Sequence, residues 1–128
     1  MELRPEFVLE LSDAEIPTMK NALQRLLARP EPPTALFVGA DECVKLYPLL
    51  GEMKIDVPGR LSVAGYRMEG DSDASGIDYS SIIQPTARVG RYGVTRLLEL
   101  VSSVCDKVDD KLDNTVNFGE TVRRIGGE

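Results

Sequence analysis

The chain has 128 residues, a net charge of −6, 42% hydrophobic residues and 28% charged residues, which is typical of one soluble globular domain. This charge argues against direct binding of nucleic acid, which needs a basic patch, and the lack of histidine removes the commonest general base and metal ligand. No apolar run is as long as a membrane span, and the first residues lack the apolar core of a secretory signal. Cys43 and Cys105 suggest no disulfide framework and fit a reducing, cytoplasmic setting.

The N-terminal part predicts a strand followed by a helix. Residues 7–11 are mostly apolar and favour the strand. Residues 12–15 have the form of a capping box, but Pro17 leaves two starts open, an irregular first turn or a helix that begins at Pro17 itself. Helical spacing of apolar residues then predicts a helix that ends near residue 28, where a proline-rich connector follows.

The middle of the chain predicts a strand, a helix and a second strand. Residues 35–38 form a short apolar run, residues 41–53 have roughly helical period, and residues 61–64 form another apolar run. Such a βαβ unit builds parallel sheets, in which ligands bind outside the carboxyl ends of the strands. Asp41 and Arg67, which follow the two strands, are therefore the first candidate site residues.

The remainder predicts another strand at residues 81–84, a long helix at 87–104, and β-prone stretches at 115–118 and 121–125. The acidic loop at residues 69–73 lacks the ligand ladder and closing Glu of a calcium loop, so we predict no metal there. Nothing in the sequence points to a cofactor.

Four stretches resemble motifs of the LacI/GalR-type bacterial transcription regulators. They read PTALFVGADE at 33–42, VPGRLSVAGY at 57–66, IIQPTARVG at 82–90 and TVRR at 121–124. They are similar to the family's PTAIFAANDE, VPxDISVVGYD, TVRQPxxEMG and LVVRxS, in the same order and spacing. The resemblance implies an α/β fold, a three-layer αβα arrangement with a mostly parallel sheet.

In that family such a chain is one lobe of a periplasmic-binding-protein-like type I domain. The resemblance therefore implies that residues 1–128 form a single lobe. The N-terminal lobe and the helix-turn-helix DNA-binding domain of the family have no counterpart in this sequence. We expect the small-molecule site to lie in the cleft between the two lobes.

The resemblance also implies effector-binding roles for Asp41, Tyr66, Arg67 and Gln84. The family carries Asn-Asp where this chain has Ala40 and Asp41, and it carries Asp at the position of Arg67. A guanidinium cannot accept a hydrogen bond and prefers carboxylate or phosphate. If Arg67 reaches the cleft, the predicted effector is an anionic sugar derivative, such as a sugar acid or a sugar phosphate.

Each of these residues has a structural alternative. Asp41 suits the N-terminus of a helix, where a carboxylate is stabilised by the helix dipole. Arg67 suits an exposed ion pair with Glu69 or Asp71. Gln84 suits a cap for the following turn, and Tyr66 suits a filler at the strand end.

The family resemblance implies a homodimer whose surface uses the helix at 42–53 and the loop at 70–80. The candidate contacts are Leu46, Tyr47, Leu49, Ile77 and Tyr79. Core packing is the alternative for the leucines. In the family the helix matching 87–104 packs on the N-terminal lobe, so we expect its apolar stripe here to self-associate, to swap between chains or to fold back on this lobe.

The leading hypothesis is the effector-sensing and dimerisation domain of a cytoplasmic LacI-type regulator, which is not an enzyme. It would bind a sugar or sugar derivative and contact DNA only through a domain outside this chain. The alternative is a periplasmic solute-binding component of a sugar transporter with the same fold. A receiver domain would need an acidic pair, a central Asp and a late Lys at strand ends, and these do not assemble here.

Overall fold

A computed structural model describes residues 5–70, 76–103, 107 and 109–124, without the side chains of Ala40 and Asp41. The elements in chain order are a 3₁₀ turn at Pro5–Phe7, α1 at Ile16–Leu27, β1 at Ala35–Val38, α2 at Ala40–Glu52, β2 at Ser62–Met68, β3 at Ser80–Gln84, α3 at Thr86–Val101 and β4 at Thr115–Asn117. No helix among these is long and apolar enough to cross a lipid bilayer.

The strands form one four-stranded sheet in the order β1-β2-β3-β4. The neighbours β1 and β2 are parallel, as are β2 and β3, whereas β4 runs antiparallel to β3. Val38 lies opposite Gly65, and Met68 lies opposite Gln84. The prediction of an α/β fold with a mostly parallel sheet is confirmed.

One face of this sheet, the helix-covered face, packs against α1 and α2. Strand alternation puts Leu36, Val38, Val63, Gly65, Arg67, Ser81 and Ile83 on this face. Val63 is fully buried, in a core with Met19, Leu23, Leu46 and Leu50. The short apolar runs that predicted β1 and β2 thus have a helical layer to pack against.

The opposite face, the open face, carries Ala35, Phe37, Ala64, Tyr66, Met68, Ile82, Gln84 and Val116. Phe37 is 58% exposed, Met68 43% and Val116 55%. α3 has no buried residue. Hence α1 and α2 supply the one helical layer that the described residues form.

The start of α1 differs from the predicted capping box. Glu15, not Ser12, is the N-cap, and Pro17 lies in the first turn. Asp13 accepts a hydrogen bond from the Glu15 backbone N–H at 3.0 Å and another from the Ser12 hydroxyl at 3.1 Å. Hydrogen bonding by the Thr18 side chain, and then by the Glu15 N–H, lowers the pKa of the Asp13 carboxyl.

Two predicted strands do not form. Residues 8–11 follow the 3₁₀ turn without strand pairing, and residues 122–124 are irregular, while residue 125 lies outside the described part. β-propensity alone was insufficient because a strand also needs a neighbour with free backbone groups.

Thr121 nevertheless joins the sheet through three hydrogen bonds. The Val63 N–H donates to the Thr121 carbonyl at 2.9 Å, and the Thr121 hydroxyl donates to the Val63 carbonyl at 2.7 Å. The Ser80 N–H donates to the same hydroxyl at 2.9 Å. Thr121, which is 2% exposed, therefore fills the gap at the amino ends of β2 and β3.

α3 presents an apolar stripe to solvent. Its members, between 51% and 76% exposed, are Val89, Val94, Leu97, Leu98 and Val101. The expectation that this stripe folds back on the lobe is wrong for the described residues, whereas self-association and swapping stay predictions. Val104, at the predicted end of the stripe, lies outside the described part.

Candidate functional site

The carboxyl edge of the parallel strands is staggered. Because Val38 at the end of β1 lies opposite Gly65, β2 continues beyond β1 with Tyr66, Arg67 and Met68. Tyr66 and Arg67 thus lie within β2, which is longer than the strand predicted at residues 61–64. β2 and β3 end level with each other, since Met68 lies opposite Gln84.

Tyr66 and Gln84 lie together on the open face at this edge. Gln84 is half-buried, and its backbone carbonyl accepts a hydrogen bond from the Glu69 N–H at 2.9 Å. Among the described residues the Gln84 side chain forms no hydrogen bond, so its predicted capping role is not observed there. The side chain lies on the open face beside Tyr66.

Phe37 completes an apolar platform with Tyr66, and sequence reasoning missed it. The two rings meet edge to face, with centroids 5.2 Å apart and an interplanar angle of 87°. Phe37 lies opposite Ala64, which leaves room for the larger ring of Tyr66 one pleat further along β2. Strand alternation places both aromatics on one face once β1 and β2 are in the observed parallel register, and the alternation was visible in the sequence.

Arg67 points to the other face of the sheet. Its guanidinium lies 5.7 Å from the centroid of the Tyr79 ring, a cation–π contact. Among the described residues it forms no ion pair with Glu69, and Asp71 lies outside them. The structure therefore separates Arg67 from Tyr66 and Gln84, although the sequence predicts one site for all of them.

Asp41 lies in the first turn of α2, and its side chain is outside the described part. The N-cap is Gly39, and the carboxylate of Glu42 folds against it, in space that a Cβ at Gly39 would take. A Glu three residues after an N-cap is the second half of a capping box, and that pattern could have identified Glu42 from the sequence. The structure thus places the carboxylate of Glu42 at the carboxyl end of β1.

The predicted dimer contacts lie largely in the core. Leu46 and Leu49 are each 2% exposed, Tyr47 is 7% and Tyr79 2%, while Ile77 packs half-buried against the same core. The rings of Tyr47 and Tyr79 stack at 5.4 Å. Core packing therefore accounts for these side chains, including Tyr79, for which the sequence favoured an interface.

The acidic side chains form no metal-binding group within the described residues. The loop at residues 71–75, which holds Asp71 and Asp73, lies outside them. On the open face, the carboxyl edge carries an aromatic surface and the Gln84 amide, while the Glu42 carboxylate lies at the end of β1. Such a surface suits an uncharged, hydroxylated ring better than a metal or a reacting bond.

Sequence comparison matches residues 6–122 to the model of the periplasmic binding protein-like domain. The "Probable HTH-type transcriptional repressor ExuR" of Bacillus subtilis (strain 168) is 31% identical over an alignment of 112 residues that covers 82% of this chain and 32% of that protein. The chain thus spans about a third of the length of this curated relative.

Solved structures share the fold. The Lac repressor bound to ONPG in its repressed state superposes with a TM-score of 0.70 at 21% identity, over 86% of this chain and 34% of that one. A LacI family transcriptional regulator from Enterococcus faecium with bound ribose gives 0.66 at 20% identity, over 87% and 41%.

These relatives are named as repressors and regulators of transcription. The resemblance to LacI-type regulators that the four motifs predicted is confirmed. The match over residues 6–122 decides the family. The chain belongs to the periplasmic binding protein-like domain family.

Proposed function

We propose that the chain is part of the effector-sensing domain of a LacI-type bacterial transcription regulator, and that it binds a sugar or a sugar-derived molecule. The placement of Tyr66 and Gln84 on the same face of neighbouring strands, at their carboxyl ends, carries the proposal. The Phe37–Tyr66 platform suits the apolar face of a sugar ring. The Gln84 amide can both donate to and accept from ring hydroxyls. A bound ribose in one solved neighbour supports this class of ligand.

The proposed mechanism is a population shift. The two lobes can adopt a more open and a more closed arrangement. An effector that binds one arrangement more tightly shifts the equilibrium toward that arrangement, to an extent set by the difference between its two affinities. In a homodimer this change would alter the spacing of paired DNA-binding heads. DNA contact belongs to a domain outside these residues, in keeping with the net charge of −6.

We place this regulator in the cytoplasm, where its operator DNA is. The transporter alternative has less support, because the relatives are named as repressors and regulators. The dimer is likewise part of the proposal. The side chains of four predicted contacts are buried, so the dimer surface has to use others. The four are Leu46, Tyr47, Leu49 and Tyr79.

Calorimetric titration of the full-length regulator with ribose and other neutral sugars tests the site. We expect Gln84→Ala to weaken binding of the preferred sugar about two- to tenfold, the effect of one neutral hydrogen bond. Tyr66→Ala should weaken it further, through loss of the ring platform. Gln24→Ala, an exposed glutamine on α1, is the matched control and should bind normally. Equal affinities for both glutamine variants would place the site elsewhere.

A second titration tests the anionic effector. Because Arg67 lies over Tyr79, on the face opposite Tyr66 and Gln84, it has to leave its observed position to meet an anion bound beside those two residues. If the effector is a sugar acid, Arg67→Ala should remove the preference for glucuronate over glucose, whereas Arg60→Ala, at an exposed position, should keep it. Binding of neutral sugars alone, unchanged by Arg67→Ala, would refute the anionic effector and leave the sugar site intact.

A further inference from the structure

α3 lies apart from the packed core. Among the described elements, the extensive packing contacts join the strands to one another, α2 to β2 and α1 to α2. α3 takes part in none of these, and it has no buried residue. Most helices in proteins are stabilised by the packing of an apolar face, and that source of stability is small for α3. Its position therefore depends on its links to the sheet and on polar contacts.

The burial pattern of α3 is the reverse of that of an ordinary amphipathic helix. Tyr92, Arg96 and Glu99 are half-buried, and the other residues of the helix are exposed. Spacings of four and three residues put these three on one side of the helix. At 3.6 residues per turn, Leu97 and Val101 lie on the opposite side. The polar side is thus the side that meets the rest of the described chain.

This polar side contacts residues 109–113, the return segment, which leads from α3 to β4. The Tyr92 hydroxyl donates to Asp110 Oδ2 at 2.9 Å, and Arg96 Nε donates to the same oxygen at 3.1 Å. Arg96 Nη2 donates to the Tyr92 hydroxyl oxygen at 2.6 Å, and Arg96 also forms an ion pair with Glu99. Tyr92, Arg96 and Asp110 are together called the latch.

A second contact lies near the start of α3, where Arg88 Nη2 donates to the Asp113 carbonyl at 3.0 Å. Arg88 and Arg96 are about two helical turns apart, or ~12 Å along the axis. Asp110 and Asp113 are separated by ~10 Å in an extended chain. Because the two lengths match, the return segment lies along α3 and runs in the opposite direction.

The latch is open to solvent ions. The side chain of Arg96 is 34% exposed and that of Asp110 is 41% exposed. Salt screens such pairs, since the screening length falls from ~10 Å at ~0.1 M to ~3 Å at ~1 M. Exposed ion pairs are also weak, so a small change in screening decides whether they hold. Apolar contacts are not screened in this way.

We propose that the latch is a salt-sensitive device that holds the return segment on α3 at low ionic strength and releases it at high ionic strength. α3 follows Gln84, and β4 begins at Thr115, opposite Ile83, so the two links of this unit to the sheet are neighbours. With the latch closed, α3 is tied to the sheet through both links. With the latch open, the link through Gln84 alone holds it. This inference does not depend on the proposed function.

Nuclear magnetic relaxation of the ¹⁵N-labelled 128-residue chain tests the latch. At about 20 mM NaCl, the heteronuclear Overhauser effect of the amides at 109–113 should match that of α3, and at about 1 M it should fall to values typical of a flexible chain. Asp110→Asn should give the low values already at about 20 mM. Asp109→Asn, at the exposed neighbouring carboxylate, is the matched control and should behave like the unaltered chain.

Two further variants separate the charge from the hydroxyl group. Arg96→Gln should release the return segment at both salt concentrations, whereas Arg91→Gln, at an exposed arginine of the same helix, should not. Tyr92→Phe keeps the ring and removes one neutral hydrogen bond, so it should lower the equilibrium constant for closing about two- to tenfold. The salt titration of the unaltered chain needs no substitution, so the test stays decisive if a variant does not fold.

Three results would overturn the proposal. Low values at 109–113 in the unaltered chain at about 20 mM NaCl would mean that the segment is not held on α3. High values that persist at about 1 M and in Asp110→Asn would assign the hold to apolar contacts, for which the half-buried Leu112 is the candidate. Equal effects of Asp109→Asn and Asp110→Asn would mean that total charge, and not the latch, controls the segment.

Discussion

The two faces of the sheet carry similarly apolar side chains but differ in what covers them. On the helix-covered face Val63 is fully buried, whereas on the open face Phe37 and Val116 are more than half exposed. Burial of apolar surface stabilises by about 25 cal/mol per Å², so the stability of the described chain comes mainly from one face. The sequence thus has apolar residues on both faces of the sheet, whereas the described residues bury only one of these faces well.

The largest expected contrast lies between leucines on α2 and α3. Leu50 is 1% exposed and Leu97 59%. Leu50→Ala should lower the free energy of unfolding by about 2–5 kcal/mol, through lost burial and a cavity, whereas Leu97→Ala should stay within about 0.5 kcal/mol. Urea unfolding followed by circular dichroism measures both. Similar losses in the two variants would show that the α3 stripe is buried in solution, as self-association or swapping would require.

Glycines sharpen the same comparison through effects of opposite sign. A Cβ at Gly65 would meet the Cys43 Sγ at 2.5 Å and the Val38 carbonyl at 2.7 Å, whereas one at Gly90 on α3 meets nothing within 4 Å. We expect Gly65→Ala to destabilise by about 1–3 kcal/mol through overpacking. Gly90→Ala should stabilise by roughly 0.5–1 kcal/mol through helix propensity. A destabilising Gly90→Ala in the thermal melt would reveal a close neighbour of α3.

Isosteric valine substitutions compare the faces directly. Val63→Thr buries a hydroxyl in the core and should cost about 1–3 kcal/mol. Val116→Thr, on the open face, should change stability by less than about 0.5 kcal/mol. Differential scanning calorimetry measures the stability of both variants. Because valine and threonine have nearly equal volumes, the difference between the variants reports whether the hydroxyl is buried. A large loss for Val116→Thr would mean that the open face is covered in solution.

The smallest effect concerns the pH dependence of α1, which covers the core side. The pKa of Asp13 is lowered by the Thr18 hydrogen bond first. A lowered folded-state pKa contributes stability above the unfolded pKa of about 3.9, and this contribution is lost as the pH falls through the folded value. Asp13→Asn should therefore lower the Tm slightly at pH 7, and the Tm values of the two proteins should converge as the pH falls below the folded-state pKa. A difference that persists in acid would mean that the charge of Asp13 is irrelevant.

The sequence predicted β1, β3, α2 and α3 to within a few residues, because each has an apolar run or stripe with clear breakers, but it ended β2 at residue 64, whereas the strand continues to Met68. It was wrong about the strand at residues 7–11. This segment does not pair with β1, because a pocket lined by both of them lies between the two. The sequence left the start of α1 open between an irregular first turn after Ser12 and a start at Pro17, and the helix begins at Ile16 with Glu15 as its N-cap. Local patterns identify elements, but pairing depends on neighbours that they do not specify.

The candidate site was predicted only in part. Motif spacing led to Tyr66 and Gln84, which the sheet brings to one face. Arg67 was grouped with them because adjacent residues were treated as one strand end, and alternation sends it to Tyr79 instead. Leu46 and Tyr79 illustrate a further limit of prediction from sequence. The same apolar and aromatic residues occur in cores and in interfaces, so the sequence alone does not distinguish the two.

Thr121 has a consequence for the order in which the chain can fold. Its hydroxyl and carbonyl complete the hydrogen bonds of Val63 and Ser80, which precede it by much of the chain. During synthesis, β2 and β3 leave the ribosome with these backbone groups unsatisfied until Thr121 emerges. The sheet can therefore assemble early but is completed late, and a nascent chain stalled before Thr121 should be more sensitive to protease than one released after it.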